Sequence, residues 1–140
     1  METRSLEFQG NPEALLVFPA RSECRSLHDS LFELGWLVNH ARTCRDAFHI
    51  LSRRRVRLVV TDSYLSDGDW KGLLGEASRL LSRPSVVVAV PHDENLRCEV
   101  LRLGGFDTLY KPFDREDIDR VIREALRHCQ GYSRVHAQAV

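Results

Sequence analysis

The sequence has few lysines and no closely paired cysteines, and its positive and negative charges are equal in number. Twenty basic and twenty acidic residues cancel across 140 residues, so charge gives no basis for binding nucleic acid or an anionic membrane. Four widely spaced cysteines form no C-x-x-C pair, which argues against a zinc site. The chain has no apolar run of membrane-spanning length and no secretory signal pattern. We therefore expect a cytoplasmic protein with reduced, buried thiols, and disulfides are the alternative.

The composition that remains suits one packed domain. Hydrophobic residues make up 43% of the chain, which is enough for a core and argues against disorder. We predict an N-terminal tail over residues 1–12, a domain over 13–129, and a C-terminal tail or linker start over 130–140.

Five apolar segments alternate with five segments of helical periodicity. The predicted strands cover residues 14–18, 36–41, 56–60, 85–90 and 106–110. The predicted helix caps are Ser22, Thr43, Asp93 and Asp114, with Gly35 as a stop. The predicted inward residues include Cys24, Leu27, Leu31 and Leu34; Cys44, Ala47, Phe48 and Leu51; Leu73, Leu74, Ala77 and Leu81 in a helix over 70–81; and Ile118, Val121, Ile122, Ala125 and Leu126 in a helix that ends near Cys129.

This alternation predicts an α/β fold. A parallel sheet covered by helices on both faces accounts for it. Five strands and right-handed crossovers favour a flavodoxin-like doubly wound (βα)5 fold, with the five-stranded parallel sheet in the order 2-1-3-4-5.

Functional groups in such sheets lie beyond the carboxyl ends of the strands. In this chain those positions are residues 18–21, 61–64, 90–92 and 110–113. Asp62 is the acid at the end of the third strand, and Lys111 is one of only two lysines, with Lys71. His92 also lies at this edge, where we expect an ordinary loop histidine.

Two segments resemble the receiver domain of response regulators, over roughly residues 13–129. "VVTDSYLSDGDWKGLL" is similar to the family's acceptor strand and its loop with a Leu-x-Asp-Gly core. "LGGFDTLYKPFD" is similar to the family's fifth strand, which ends in Lys-Pro-Phe. The resemblance implies a two-component phosphorelay domain with Asp62 as phosphoacceptor and Lys111 as the phosphate-contacting lysine.

The chemistry of these two residue types agrees with those roles. A carboxylate can act as the nucleophile that forms an aspartyl phosphate, and an ammonium group can hold phosphoryl oxygens. The alternative is purely structural: Asp62 accepts backbone N–H groups in its turn, and Lys111 is its ion partner.

The first strand departs from the family pattern. Pro19 and Ala20 occupy the positions of the family's acidic metal-binding pair, and neither side chain offers an oxygen. Magnesium prefers oxygen ligands in octahedral geometry. Asp62 and the Tyr64 carbonyl would be the remaining family-type ligands, so we expect weak Mg²⁺ binding at most and no required cofactor. Arg21 offers a cation in the gap, and Glu23 is a substitute ligand or a helix-dipole partner.

The two switch positions also depart from the family. The family's hydroxyl residue after the fourth strand falls on Val90, and its switch aromatic falls on Thr108. Tyr110 shares a face with Thr108 by strand alternation, so it either replaces the aromatic in part or simply packs.

These departures favour an atypical (pseudo-) receiver that acts by protein–protein interaction. The expected partner is a histidine kinase or an output signalling protein, or a second copy bound through the face of the fourth helix, fifth strand and fifth helix. We expect no nucleic acid and no membrane. The alternative is a conventional receiver phosphorylated on Asp62 by a histidine kinase.

An enzyme or ligand binder of another class has little support. No catalytic constellation is present, so we expect no enzyme activity beyond aspartyl autophosphorylation from a phosphodonor. The arginine-dense segment at residues 52–57 is either a contact for an acidic partner or a solvated helix end.

Overall fold

Five parallel strands form the central sheet. The computed structural model describes residues 10–91 and 95–139, with side chains up to residue 128. The strands are β1 (Glu13–Val17), β2 (Leu37–Ala41), β3 (Leu58–Asp62), β4 (Ser85–Pro91) and β5 (Asp107–Lys111). They lie in the order β2-β1-β3-β4-β5, which confirms the predicted fold.

Five helices connect and cover the strands. They are α1 (Arg25–Glu33), α2 (Cys44–Arg53), α3 (Trp70–Ser78), α4 (Arg97–Arg102) and α5 (Arg115–Ala139). A 3-10 turn (Arg21–Cys24) precedes α1. Within the described residues, no helix is both long and apolar enough to cross a membrane.

The core consists of two layers, one on each face of the sheet. Leu16, Val60 and Ala89 pack with α1 and α5 on one face. Their neighbours Leu15 and Val59 pack with α2, α3 and α4 on the other. Because both faces are covered, the central strands β1, β3 and β4 are largely continuous apolar runs rather than alternating ones.

Several local predictions are confirmed. The Thr43 side chain accepts a hydrogen bond from the Asp46 N–H at 3.1 Å and caps α2. Gly35 follows α1 with a φ of +91°, a conformation that glycine adopts without steric cost. The predicted inward residues of α5 are buried, and Leu126 is half-buried.

Other local predictions are wrong. Ser22 does not cap α1, because it lies inside the 3-10 turn and neither the turn nor α1 has a side-chain cap. Leu34 and Leu81 are exposed, Leu81 to 98%, because α1 ends at Glu33 and α3 at Ser78. The helical spacing of apolar residues continues past both positions in the sequence, but the helices themselves end there.

The ends of two other elements differ from the prediction. β3 begins and ends later than predicted, so Asp62 is its last residue. α5 continues past Gly131 to Ala139; an interior glycine costs a helix only about 1 kcal/mol relative to alanine. α4 begins at Arg97 without a side-chain cap, and the predicted cap Asp93 lies outside the described residues.

Candidate functional site

Asp62 and Lys111 meet above the carboxyl edge of the sheet. β4 lies between their strands, with Ala89 beside Asp62 and Pro91 beside Lys111. The lysine side chain spans β4, and its Nζ lies 2.7 Å from Asp62 Oδ1. The two side chains are 36% and 14% exposed. This is a close, partly shielded ion pair, the geometry that both the signalling and the structural interpretation require.

The turn after Asp62 is fixed by its own hydrogen bonds. The Ser63 N–H donates to Asp62 Oδ1 at 2.9 Å. The buried Ser63 hydroxyl donates to the Ala89 carbonyl of β4 at 2.6 Å, and the Ser63 carbonyl accepts from the Trp70 N–H at 3.0 Å. The turn is thereby tied to β4 and to the start of α3, which positions the Asp62 carboxylate.

The loop between β3 and α3 contains a contact that the sequence did not predict. Tyr64–Leu65 and Gly68–Asp69 form a short antiparallel hairpin, and the carboxylate of Asp67 at its tip reaches the start of α2. It accepts from the N–H of Cys44 at 2.8 Å and of Arg45 at 3.0 Å. These hydrogen bonds hold the pKa of Asp67 below its usual value.

Gly68 and Asp69 complete the anchoring of this loop. A Cβ at Gly68 would lie 2.9 Å from Cys44 Sγ, so glycine allows the hairpin to approach α2. The Asp69 carboxylate accepts from the Lys71 N–H at 3.1 Å and caps α3. The Leu-x-Asp-Gly motif at residues 65–68 marked this loop in the sequence. The motif alone does not show that Asp67 binds the first N–H groups of α2, which is distant in sequence.

The carboxyl end of β1 brings no acid to Asp62. Pro19 is exposed and Ala20 half-buried in the turn after β1. Within the described residues, no three acidic, histidine or cysteine side chains gather as a metal site. The Asp62 carboxylate and the Tyr64 carbonyl are too few donors for an ion that prefers six oxygens, so the residues present do not fit magnesium.

Arg21 and Glu23 do not replace the missing acids. Arg21 lines a cleft of about 380 Å³ on the β2 side of β1, with His40 and Asp46. Glu23 is exposed in the 3-10 turn. In the part of the chain that the structure describes, no salt bridge joins Arg21 to Asp62.

The switch positions are buried in the sheet. Val90 is fully buried. Thr108 is buried beside Val88, and its hydroxyl oxygen has no hydrogen-bond partner in the described part of the chain. Tyr110 is half-buried against the core layer of α2, α3 and α4. His92 lies outside the described residues.

The face formed by α4, β5 and α5 carries a network of ion pairs, and we call it the α4–β5–α5 face. Asp107 of β5 bonds Arg97 of α4 at 3.0 Å and lies 3.9 Å from Arg120 of α5. The exposed side chains of Leu101 and Leu103 lie at the end of α4. The network joins the three elements across this face.

Comparison with known proteins finds similar sequences but no matching family. No family model matches the chain. It is 28% identical over 116 residues to the transcriptional regulator ycf27 of Porphyridium aerugineum, and 27% identical over 118 residues to the sensory transduction protein LytR of Streptococcus agalactiae. These matches cover 82% and 74% of this chain but 48% of each relative, so the chain spans about half their length.

Solved receiver domains share the fold. The signal receiver domain of a LuxO repressor protein from Vibrio parahaemolyticus has a TM-score of 0.81 at 22% identity, covering 89% of this chain and 97% of that one. The beryllofluoride-activated NtrC4 receiver domain dimer has a TM-score of 0.75 at 23% identity, covering 84% and 98%. The chain therefore has the fold of solved receiver domains, and its sequence is similar to those of a transcriptional regulator and a sensory transduction protein.

Proposed function

We propose that this domain is a pseudo-receiver: it signals in the cytoplasm by protein–protein contact, without metal-dependent phosphorylation of Asp62. The observation that carries the proposal is the end of β1, where Pro19 and Ala20 supply no side-chain oxygen. Phosphoryl transfer relies on a metal ion to neutralise the charge that develops on the transferred group. Without that ion, Lys111 is the one cationic side chain paired with the Asp62 carboxylate among the described residues, and one ammonium group is a weak substitute. On this proposal the domain is not an enzyme.

The α4–β5–α5 face is the proposed contact surface. The pairs from Asp107 to Arg97 and Arg120 hold its three elements in a fixed relation, and Leu101 and Leu103 offer exposed apolar area. The proposed partner is a histidine kinase, an output signalling protein or a second copy. The NtrC4 receiver domain, a structural neighbour, is a dimer in its activated form, which supports testing the second copy first.

A conventional receiver is the second candidate function. The observation in its favour is that Asp62 ends β3 with Lys111 Nζ at 2.7 Å. Its loop is also fully anchored to α2 and α3. If a metal ion binds despite Pro19 and Ala20, a histidine kinase would phosphorylate Asp62.

Phosphorylation by a small donor separates the two candidates. Wild type and Asp62→Ala are incubated with acetyl phosphate and Mg²⁺, and intact mass is measured. We expect no added phosphoryl group on either protein, both of them folded by circular dichroism. A gain of one phosphoryl group in wild type only would overturn the pseudo-receiver proposal.

A gain-of-function variant makes a negative result informative. Pro19→Asp/Ala20→Asp restores two carboxylates at the end of β1. We expect this variant to gain one phosphoryl group under the same conditions, and to lose that gain when Asp62→Ala is added. If wild type and the variant are both folded and both remain unphosphorylated, the missing acidic pair does not explain why Asp62 is not phosphorylated.

A further inference from the structure

A cleft of about 780 Å³ opens at the amino edge of the sheet, opposite Asp62. Its walls are the connection from α2 to β3, the connection from α3 to β4, and His128 of α5. Six arginines line it: Arg53, Arg54, Arg55, Arg57, Arg79 and Arg83. The whole chain has no net charge, so the cleft is a local concentration of positive charge.

That excess is only partly neutralised. Arg54 binds Glu13 with two hydrogen bonds of 2.8 and 3.0 Å, and Arg79 pairs with Glu76 at 3.3 Å. Arg53 and Arg55 are exposed and form no salt bridge within residues 10–91 and 95–128. No carboxylate is among the described residues that line the cleft. An anion entering the cleft therefore meets the guanidinium groups of Arg53 and Arg55, which pair with no carboxylate among the described residues.

One wall of the cleft is strained. Arg83 has a φ of +46°, a left-handed conformation that is sterically unfavourable for a residue with a Cβ. It also precedes Pro84, and a residue before proline favours extended backbone. The Arg83 N–H donates to the Leu80 carbonyl at 3.2 Å, which closes the turn. Strained residues of this kind concentrate at ligand sites.

We propose that this cleft binds a small phosphorylated molecule of the size of a nucleotide. The planar guanidinium fork matches the oxygens of a phosphate group. The volume falls within the range of small-molecule sites, and Leu80, Leu81 and the His128 ring offer apolar and aromatic surface to the body of the ligand. The charge is confined to a concave site rather than spread as a stripe, which favours a small anion over a nucleic acid. This inference does not depend on the pseudo-receiver function.

Calorimetric titration of the full chain tests the proposal. The probes are adenosine triphosphate and inorganic triphosphate, each in EDTA at low salt. We expect saturable 1:1 binding of adenosine triphosphate and at least tenfold weaker binding by Arg53→Gln/Arg55→Gln. Arg123→Gln, an exposed arginine of α5 outside the cleft, is the matched control and should bind as wild type does.

A second variant tests the strained wall. Arg83→Gly permits the left-handed backbone and removes the guanidinium. We expect weaker binding of adenosine triphosphate by this variant, measured on protein that circular dichroism shows to be folded; unchanged binding would contradict a role for the Arg83 wall.

Each remaining outcome overturns part or all of the proposal. Absence of saturable binding by wild type, or an equal loss in Arg123→Gln, would overturn it. Equal affinity for both probes would overturn the role of the nucleoside body. Tighter binding of a polyglutamate peptide than of adenosine triphosphate would assign the cleft to an acidic peptide instead.

Discussion

The Asp62–Lys111 pair shows how one residue contact can serve two purposes. Its 2.7 Å distance satisfies a carboxylate that is only 14% exposed. Lys111→Met would leave that carboxylate without its ion partner, and we expect it to lower the free energy of unfolding by about 1–3 kcal/mol. Asp62→Asn keeps the shape of the side chain and removes the charge, so it should cost less. Urea denaturation of each protein measures both effects.

The double variant separates pairing from single-residue effects. In Asp62→Asn/Lys111→Met no charge is left unpaired, so its loss should be smaller than the sum of the two single losses, with a coupling of about 1 kcal/mol. Strict additivity would show that the pair has no structural role.

His40 provides a pH-dependent prediction at the residue scale. Its Nε2 lies 3.1 Å from His28 Nδ1, and burial, then the Arg21 charge, then His28 lower its pKa. The unfolded chain therefore takes up a proton at a higher pH than the folded chain does. Stability present above a pKa of about 6.5 is lost as pH falls through the histidine range.

Urea midpoints measured from about pH 7.5 to about pH 5.5 check this dependence. We expect the midpoint of wild type to fall with acidification, and that of His40→Gln to fall less. His49→Gln, an exposed histidine of α2, should follow wild type. An identical slope for all three proteins would contradict the assignment to His40.

At the scale of elements, the hairpin after β3 depends on one close contact. Gly68 has no positive φ to require glycine, so only the 2.9 Å approach to Cys44 Sγ opposes a larger residue there. Gly68→Ala should cost about 1–2 kcal/mol through overpacking. In a Cys44→Ala background, the same change should cost almost nothing.

Chemical denaturation of the four proteins in this cycle gives the coupling directly. Gly75→Ala in α3, where a Cβ would meet nothing within 4 Å, is the control for a glycine-to-alanine change that creates no clash. A Gly68→Ala cost that persists without the Cys44 sulfur would place the strain elsewhere.

Local pattern predicted most elements but not all of their contacts. The strands were predictable because runs such as "SVVVAV" are buried on both faces, and Thr43 was predictable because its cap is local in sequence. The Asp67 contact was not, because its partners Cys44 and Arg45 lie 23 and 22 residues away. Helix ends at Glu33 and Ser78 were missed because periodicity continues past them.

The site was predicted in its parts rather than in its geometry. Topology and the family resemblance brought Asp62 and Lys111 to one edge, and the structure places them in contact; their signalling roles stay predictions. The arginine cleft was visible in sequence only as residues 52–57, because its other wall comes from the turn at residues 79–83. A concave surface made of two distant segments has no sequence pattern of its own.

At the scale of the whole molecule, self-association tests the α4–β5–α5 face. We expect a mass that rises with protein concentration in sedimentation equilibrium, since Leu101 and Leu103 leave apolar area exposed there. Leu101→Ser/Leu103→Ser should shift the equilibrium towards monomer by at least tenfold.

Leu81→Ser is the matched control, because Leu81 is also exposed but lies at the amino edge of the sheet. Equal loss of association in both variants would assign the contact to general surface hydrophobicity. A strict monomer at every concentration would leave a different protein as the proposed partner.

The packing of Gly68 against Cys44 also makes Cys44 a probe for opening of the hairpin. Burial, reinforced by the charge of Asp67, raises the pKa of the Cys44 thiol to about 11. Because the Cys44 side chain is also buried, we expect a thiol reagent to modify it at a rate limited by opening of the hairpin. Cys98 is exposed and supplies an internal standard for unhindered alkylation. The ratio of the two alkylation rates therefore reports how often the hairpin beside Asp62 opens at Cys44.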